Sequence, residues 1–183
     1  MDETNHLYTL GPEDKSTQVM AYTASSLLLG EVVTKKVIRV STWLRTPMMP
    51  QYITLYGVQL FDFSVSGNPH PMTFKELYLP SSQVIAFHIR PPACDPLDYE
   101  PNEPMRKMEP VTALVGPFRF DGSVRMSTQT NLGSYLEVVK EVFTSMYDIQ
   151  INPIHSPTIK PFEVQYALLR RDLVCFSPRP TAR

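Results

Sequence analysis

The chain has 183 residues, 43% of them hydrophobic and 19% charged, with a formal net charge of −1. That apolar content sustains a folded core, and the charge density is too low for a disordered chain. The near-neutral balance excludes a global field that would draw the protein onto nucleic acid or an anionic membrane.

From the N-terminus, residues 1–18 read as an acidic tail without the basic and apolar regions of a secretory signal. No run along the chain approaches the ~20 apolar residues that cross a bilayer. Cys94 and Cys175 form no metal-binding or redox spacing and are expected as reduced thiols. A soluble, cytoplasmic protein is expected. The 18 prolines against 7 glycines cut the chain into short elements, which favours strands and turns over a helical bundle.

The chain carries an internal similarity. Residues 24–71 superpose on 110–157 without a gap, setting Leu28 on Leu114, Gly30 on Gly116, Arg39 on Arg125 and Asp62 on Asp148. With a few extra residues in the following loop, Phe74 meets Phe162, Tyr78 meets Tyr166, and Val84-Ile85-Ala86-Phe87 meets Leu173-Val174-Cys175-Phe176. The expected architecture is mainly β, with two tandem copies of a small five-stranded barrel-like or bent-sheet domain related by a pseudo-twofold. The copies span 19–90 and 110–180.

In the first copy strands are expected near 19–34, 37–45, 52–65, 73–79 and 83–90. In the second they are expected near 111–120, 123–129, 139–151, 161–168 and 172–177. Period-two alternation puts Ile38, Val40, Thr42 and Leu44 on one face, and Phe61, Phe63 and Val65 on another. Ile38, Val40, Phe61, Phe63, Val124, Met126, Tyr147 and Ile149 are the expected core. Leu132, Leu136, Val139 and Phe143 instead follow a helical spacing, whereas Pro47 and Pro50 bar a regular helix from the matching stretch of the first copy.

Between the copies, 91–109 forms a proline-rich connector with more acids than bases. It is expected to be extended and semi-rigid, as a solvated spacer or a strap over a basic surface.

The Arg39-Val40-Ser41-Thr42 segment with Leu44 after it, the Val84-Ile85-Ala86-Phe87-His88 strand, and the connector running into Met108-Glu109-Pro110-Val111-Thr112-Ala113-Leu114 together resemble an uncharacterised family of small bacterial domains often found in tandem. The resemblance implies the tandem β architecture and no activity. A looser likeness to Sm-type small β-barrels rests on strand count.

No Gly-rich phosphate loop, Cys-x-x-Cys, His-Glu-x-x-His or Gly-x-Ser-x-Gly occurs. The chain is not expected to be an enzyme or to hold a cofactor or metal. His70 and His155 fall in corresponding loops, where they are exposed side chains or a shared metal or pH site. Arg39 and Asp62, and likewise Arg125 and Asp148, are expected to form an ion pair inside each copy, the alternative being two arginines offered to an anion. Trp43, Arg45, Met48, Met49 and Tyr135 form the candidate interaction surface, since aromatic and methionine side chains suit adaptable contacts.

The leading functional expectation is a non-catalytic interaction or scaffold protein with a protein partner or further copies of itself. A small-barrel nucleic-acid binder is the alternative, and a ligand-binding module with its pocket at the domain junction is the third.

Overall fold

Ten antiparallel strands account for most of the structure, a computed structural model that describes residues 8–46, 49–64, 71–154 and 160–179. The first five are β1 (Asp14–Tyr22), β2 (Ser26–Lys35), β3 (Tyr52–Asp62), β4 (Met72–Pro80) and β5 (Ala86–Ile89). The second five are β6 (Arg106–Val115), β7 (Phe118–Ser127), β8 (Phe143–Pro153), β9 (Phe162–Arg170) and β10 (Cys175–Pro178), with a short helix α1 (Leu132–Val138) before β8.

All ten form one open sheet in the order β10-β6-β7-β8-β9-β5-β1-β2-β3-β4. Within each set of five the neighbour order is the same: fifth, first, second, third, fourth. The sheet does not close, so the barrel-like form is replaced by a continuous sheet. Unlike strands meet at its midline, β5 against β9, whereas a pseudo-twofold would pair like with like.

Alternation explains the middle of the sheet. β1 buries Val19 and Ala21 on one face and Met20 and Tyr22 on the other, as a strand covered on both sides must. One core gathers Leu28, Val32, Ile53, Leu55 and Phe87 with Phe143 and Leu168 from the second set. The other gathers Val111, Phe118, Phe120, Met126 and Met146 with Tyr22 and Ile85 from the first. Each core therefore takes side chains from both sets. Of the expected core, Val40, Val124, Met126, Tyr147 and Ile149 are buried, while Ile38, Phe61 and Phe63 are half-buried.

Four segments differ from expectation, the first being 111–120, which spans the β6–β7 turn at Gly116-Pro117 instead of forming one strand. Residues 19–34 hold the β1–β2 hairpin, closed by the Thr23 N–H donating to the Ser26 carbonyl. Residues 37–45 form no strand: Val40–Arg45 is a 3₁₀ helix, with Thr46 N–H donating to Trp43 O. Its buried residues are Val40, Ser41 and Leu44, and the Val40–Leu44 spacing serves a helical turn as well as a strand, an ambiguity inherent in short apolar runs. The connector ends early, because Arg106–Glu109 already belongs to β6.

Both sets carry a β-bulge at the same place. The β2–β3 register shifts between Leu29 and Glu31, and the β7–β8 register between Asp121 and Ser123. Gly30 and Gly122 lie in these shifts, where an added Cβ would stand 3.2 Å from the Tyr56 carbonyl oxygen and 2.6 Å from that of Tyr147. On the facing strands Gly57 has φ 58° and Asp148 φ 49°. Left-handed backbone of this kind suits glycine and is tolerated by aspartate.

A candidate binding cleft at the strand junction

β5 pairs with β9 only through Ala86–Leu169 and Phe87–Leu168. Beyond these pairs the strands part, and among the described residues Phe162–Ala167 of β9 has no strand neighbour on that side. A cavity of about 560 Å³ opens there. Ile89 and Ser41 line it from the first set, Pro91–Asp95 from the connector, and Asp148–Gln150 with Glu163–Tyr166 from the second. Three acidic residues, Asp95, Asp148 and Glu163, line it, and among the described residues no lysine or arginine does. Asp148, which lines the cavity, is the residue of β8 with left-handed backbone opposite the Gly122 bulge.

The connector forms one wall because its acids are tied to the sheet. Asp95 accepts a hydrogen bond from the Ser41 backbone N–H at 2.9 Å. Asp98 is the main anchor. Its Oδ2 accepts from Arg45 Nη1 at 2.9 Å, Tyr166 hydroxyl at 3.1 Å and Ser145 Oγ at 3.2 Å, and its Oδ1 from Tyr147 hydroxyl at 2.7 Å. Arg45 also pairs with Glu141 at 2.7 Å. The Asp98 side chain is only 12% exposed, so these partners replace the water it has lost.

Burial, and then the bond to Asp98, hold the Tyr147 hydroxyl far above the usual phenol range. Burial does the same to Tyr166. Both therefore act as neutral donors at any physiological pH. Further along, Tyr99 packs edge-on against Tyr147 with ring centroids 5.0 Å apart, and the Arg125 guanidinium lies 4.6 Å from the Tyr99 ring centroid. Arg125 donates to Glu103 at 2.6 Å and to the Glu100 carbonyl at 3.0 Å. The bonds from Arg125 and then Arg106 lower the Glu103 pKa.

The expected pairs Arg39–Asp62 and Arg125–Asp148 do not form. Both arginines hold the connector instead, Arg39 through the Leu97 carbonyl at 3.4 Å, while Asp62 accepts from the Ser64 N–H. The gapless superposition behind that expectation sets Leu28 of β2 on Leu114 of β6, so it does not match strands by order; the later match of 84–87 with 173–176 does set β5 on β10. Of the candidate interaction surface, Trp43, Met49 and Tyr135 are half-buried against the cores, and the Tyr135 hydroxyl lies 2.7 Å from Thr144 Oγ1. Arg45 does reach the site, as a clamp on Asp98. Met48, His70 and His155 lie outside the described residues.

Asp95, Asp98, Tyr147 and Tyr166 were not singled out from sequence as site residues; the acidic excess of the connector was the available signal. His88 sits in the same junction, fully buried on β5. Its Nδ1 lies 2.8 Å from the Ile89 carbonyl and so carries the proton, which leaves Nε2 to accept from the Tyr22 hydroxyl at 3.0 Å. Burial lowers its pKa to about 4.

Among the described residues no group of three or more His, Cys, Asp or Glu side chains could hold a metal ion, and no helix is long and apolar enough to cross a membrane. No family model, curated protein or solved structure matches the chain.

Proposed function

We propose that this is a non-catalytic interaction protein, built from a duplicated five-stranded unit, that receives an extended segment of a partner protein in the junction cleft. The observation that carries this reading is the unpaired stretch Phe162–Ala167 of β9 beside the cavity. A strand edge with free backbone donors and acceptors is a template for an added strand, and side walls supply selectivity. The clamped connector keeps the cleft formed before a partner arrives, which limits the ordering cost of binding.

The duplication is supported by the shared strand order and the shared bulge. Matching strands by order also sets Val19 on Val111, Ala21 on Ala113, Gly30 on Gly122 and Val32 on Val124, and all but Gly30 are buried. A second reading, a small-molecule site, is favoured by the volume, which falls in the range of roughly 300–1,000 Å³ usual for ligand pockets. Nucleic acid is disfavoured by the three cleft carboxylates, which would repel phosphates.

Purification of the native protein from its own cells, beside Gln165→Trp to fill the cleft, tests the proposal. A co-purifying protein lost from Gln165→Trp, with thermal unfolding unchanged, supports it; an identical set from both proteins sinks it. A small molecule released from denatured wild type alone selects the second reading.

A further inference from the structure

Among the described residues the sheet ends in two strands without an outer neighbour, β4 at one edge and β10 at the other. By strand order these are the fourth strand of the first set and the fifth of the second. The internal junction joins the complementary two, the fifth of the first set (β5) and the fourth of the second (β9). The edges left over are therefore the two halves of a joint that the chain already makes once. We propose that β10 of one chain pairs antiparallel with β4 of a second copy, repeating the β5–β9 joint, so that chains associate head to tail. This rests on the duplication in the reading above and is independent of the cleft.

The register follows from the strands behind each edge. Phe87 lies opposite Ala21 of β1 as Phe176 lies opposite Ala113 of β6. Leu168 lies opposite Ser145 of β8 as Tyr78 lies opposite Thr54 of β3. The Phe87–Leu168 pair thus becomes Phe176–Tyr78 between chains, and Ala86–Leu169 becomes Cys175–Leu79. Directions agree as well: following the antiparallel pairings across the sheet, β10 runs opposite to β4, so a second copy docks in the same orientation as the first.

The edges carry apolar surface that such a contact would cover. Tyr78 is 61% exposed, Tyr52 56% and Phe74 39% at the β4 side, with Leu114 and Leu173 exposed near β10. One feature weakens the joint relative to its internal counterpart. Pro80 stands where Arg170 donates its N–H to the Ile85 carbonyl, and a proline has no N–H to give. Association is therefore reversible and concentration-dependent, because edge prolines restrain growth.

Sedimentation velocity over a concentration series tests this with Tyr78→Lys and Phe176→Lys, each blocking one edge. Wild type is expected to grow past a dimer as concentration rises. Each variant alone should stay monomeric, and their equimolar mixture should form a 1:1 dimer and nothing larger, since one free β10 and one free β4 remain. Pro80→Ala restores the missing donor and should shift association to several-fold lower concentration. Wild type that is monomeric throughout, a dimer that persists in either variant alone, or a mixture that stays monomeric while both variants unfold as wild type does, overturns the inference. None of these results touches partner capture by the cleft, which Gln165→Trp reads separately.

Discussion

The β5–β9 junction and the outer edges are formed by corresponding strands, yet one lies mid-sheet and the others are bare. Strand pairing alone does little to join the two sets, since the junction has just two registered residue pairs. Side chains close it: the Asp98 cluster on one side, the buried Tyr22 and His88 rings against Phe118 and Phe162 on the other, and Arg170 reaching the Ser81 carbonyl at 3.2 Å. The edges have no such supports among the described residues. A sheet of this kind is held at its seam by buried polar and aromatic contacts, and its backbone ladder mainly sets the register.

Removing the seam's main anchor should have the largest effect. Asp98→Ala takes one of two carboxylates from the partly buried Arg45, which keeps Glu141, and leaves three hydroxyls without this acceptor. Each buried donor so left unpaired costs about 1–3 kcal/mol. Urea unfolding should show a loss of that order, with limited proteolysis newly cutting within 91–105. An unchanged midpoint would mean that the seam does not depend on the connector.

His88 should give the seam a pH dependence. Its folded-state pKa of about 4 lies below the ordinary value of 6.5, so the unfolded chain takes up the proton first. The contribution of neutral His88 is complete above about pH 6.5, declines as the pH falls, and is lost by about pH 4, for a total of roughly 3 kcal/mol. Unfolding free energies measured from pH 7 to 4 should fall with this profile, and His88→Gln should flatten it.

The bulges sharpen the comparison on a smaller scale, because each set has one. In Gly122→Ala the new Cβ meets the Tyr147 carbonyl oxygen at 2.6 Å, a contact that backbone cannot yield to cheaply; in Gly30→Ala the equivalent distance is 3.2 Å. Overpacking costs about 1–3 kcal/mol. Gly122→Ala should fall in that range and Gly30→Ala below it, as thermal unfolding of the two variants would show.

The β class and much of the core were legible in the sequence. Val124 and Met126 follow a period of two, and both are buried on β7. The hairpin turn at Thr23–Ser25 was missed because it has neither Gly nor Pro, and Thr and Ser also populate strands. The segment 37–45 was misread because a run of a few apolar residues fits either period. The clamp was hidden for a different reason. Asp98 binds Arg45, Ser145, Tyr147 and Tyr166, partners that lie far away along the chain and converge only once unlike strands meet at the midline.

Amide hydrogen exchange along β9 tests the central claim most directly, measured in the free protein and again with the protein that co-purifies. In the free protein, every second amide within 162–167 should exchange as fast as the amides of the outer β4 edge, although β9 lies mid-sheet, while Leu168–Arg170 stays protected. Protection across 162–167 should then appear with the partner bound. Slow exchange of 162–167 in the free protein, matching that of Leu168–Arg170, would mean the edge is already paired and would contradict the account.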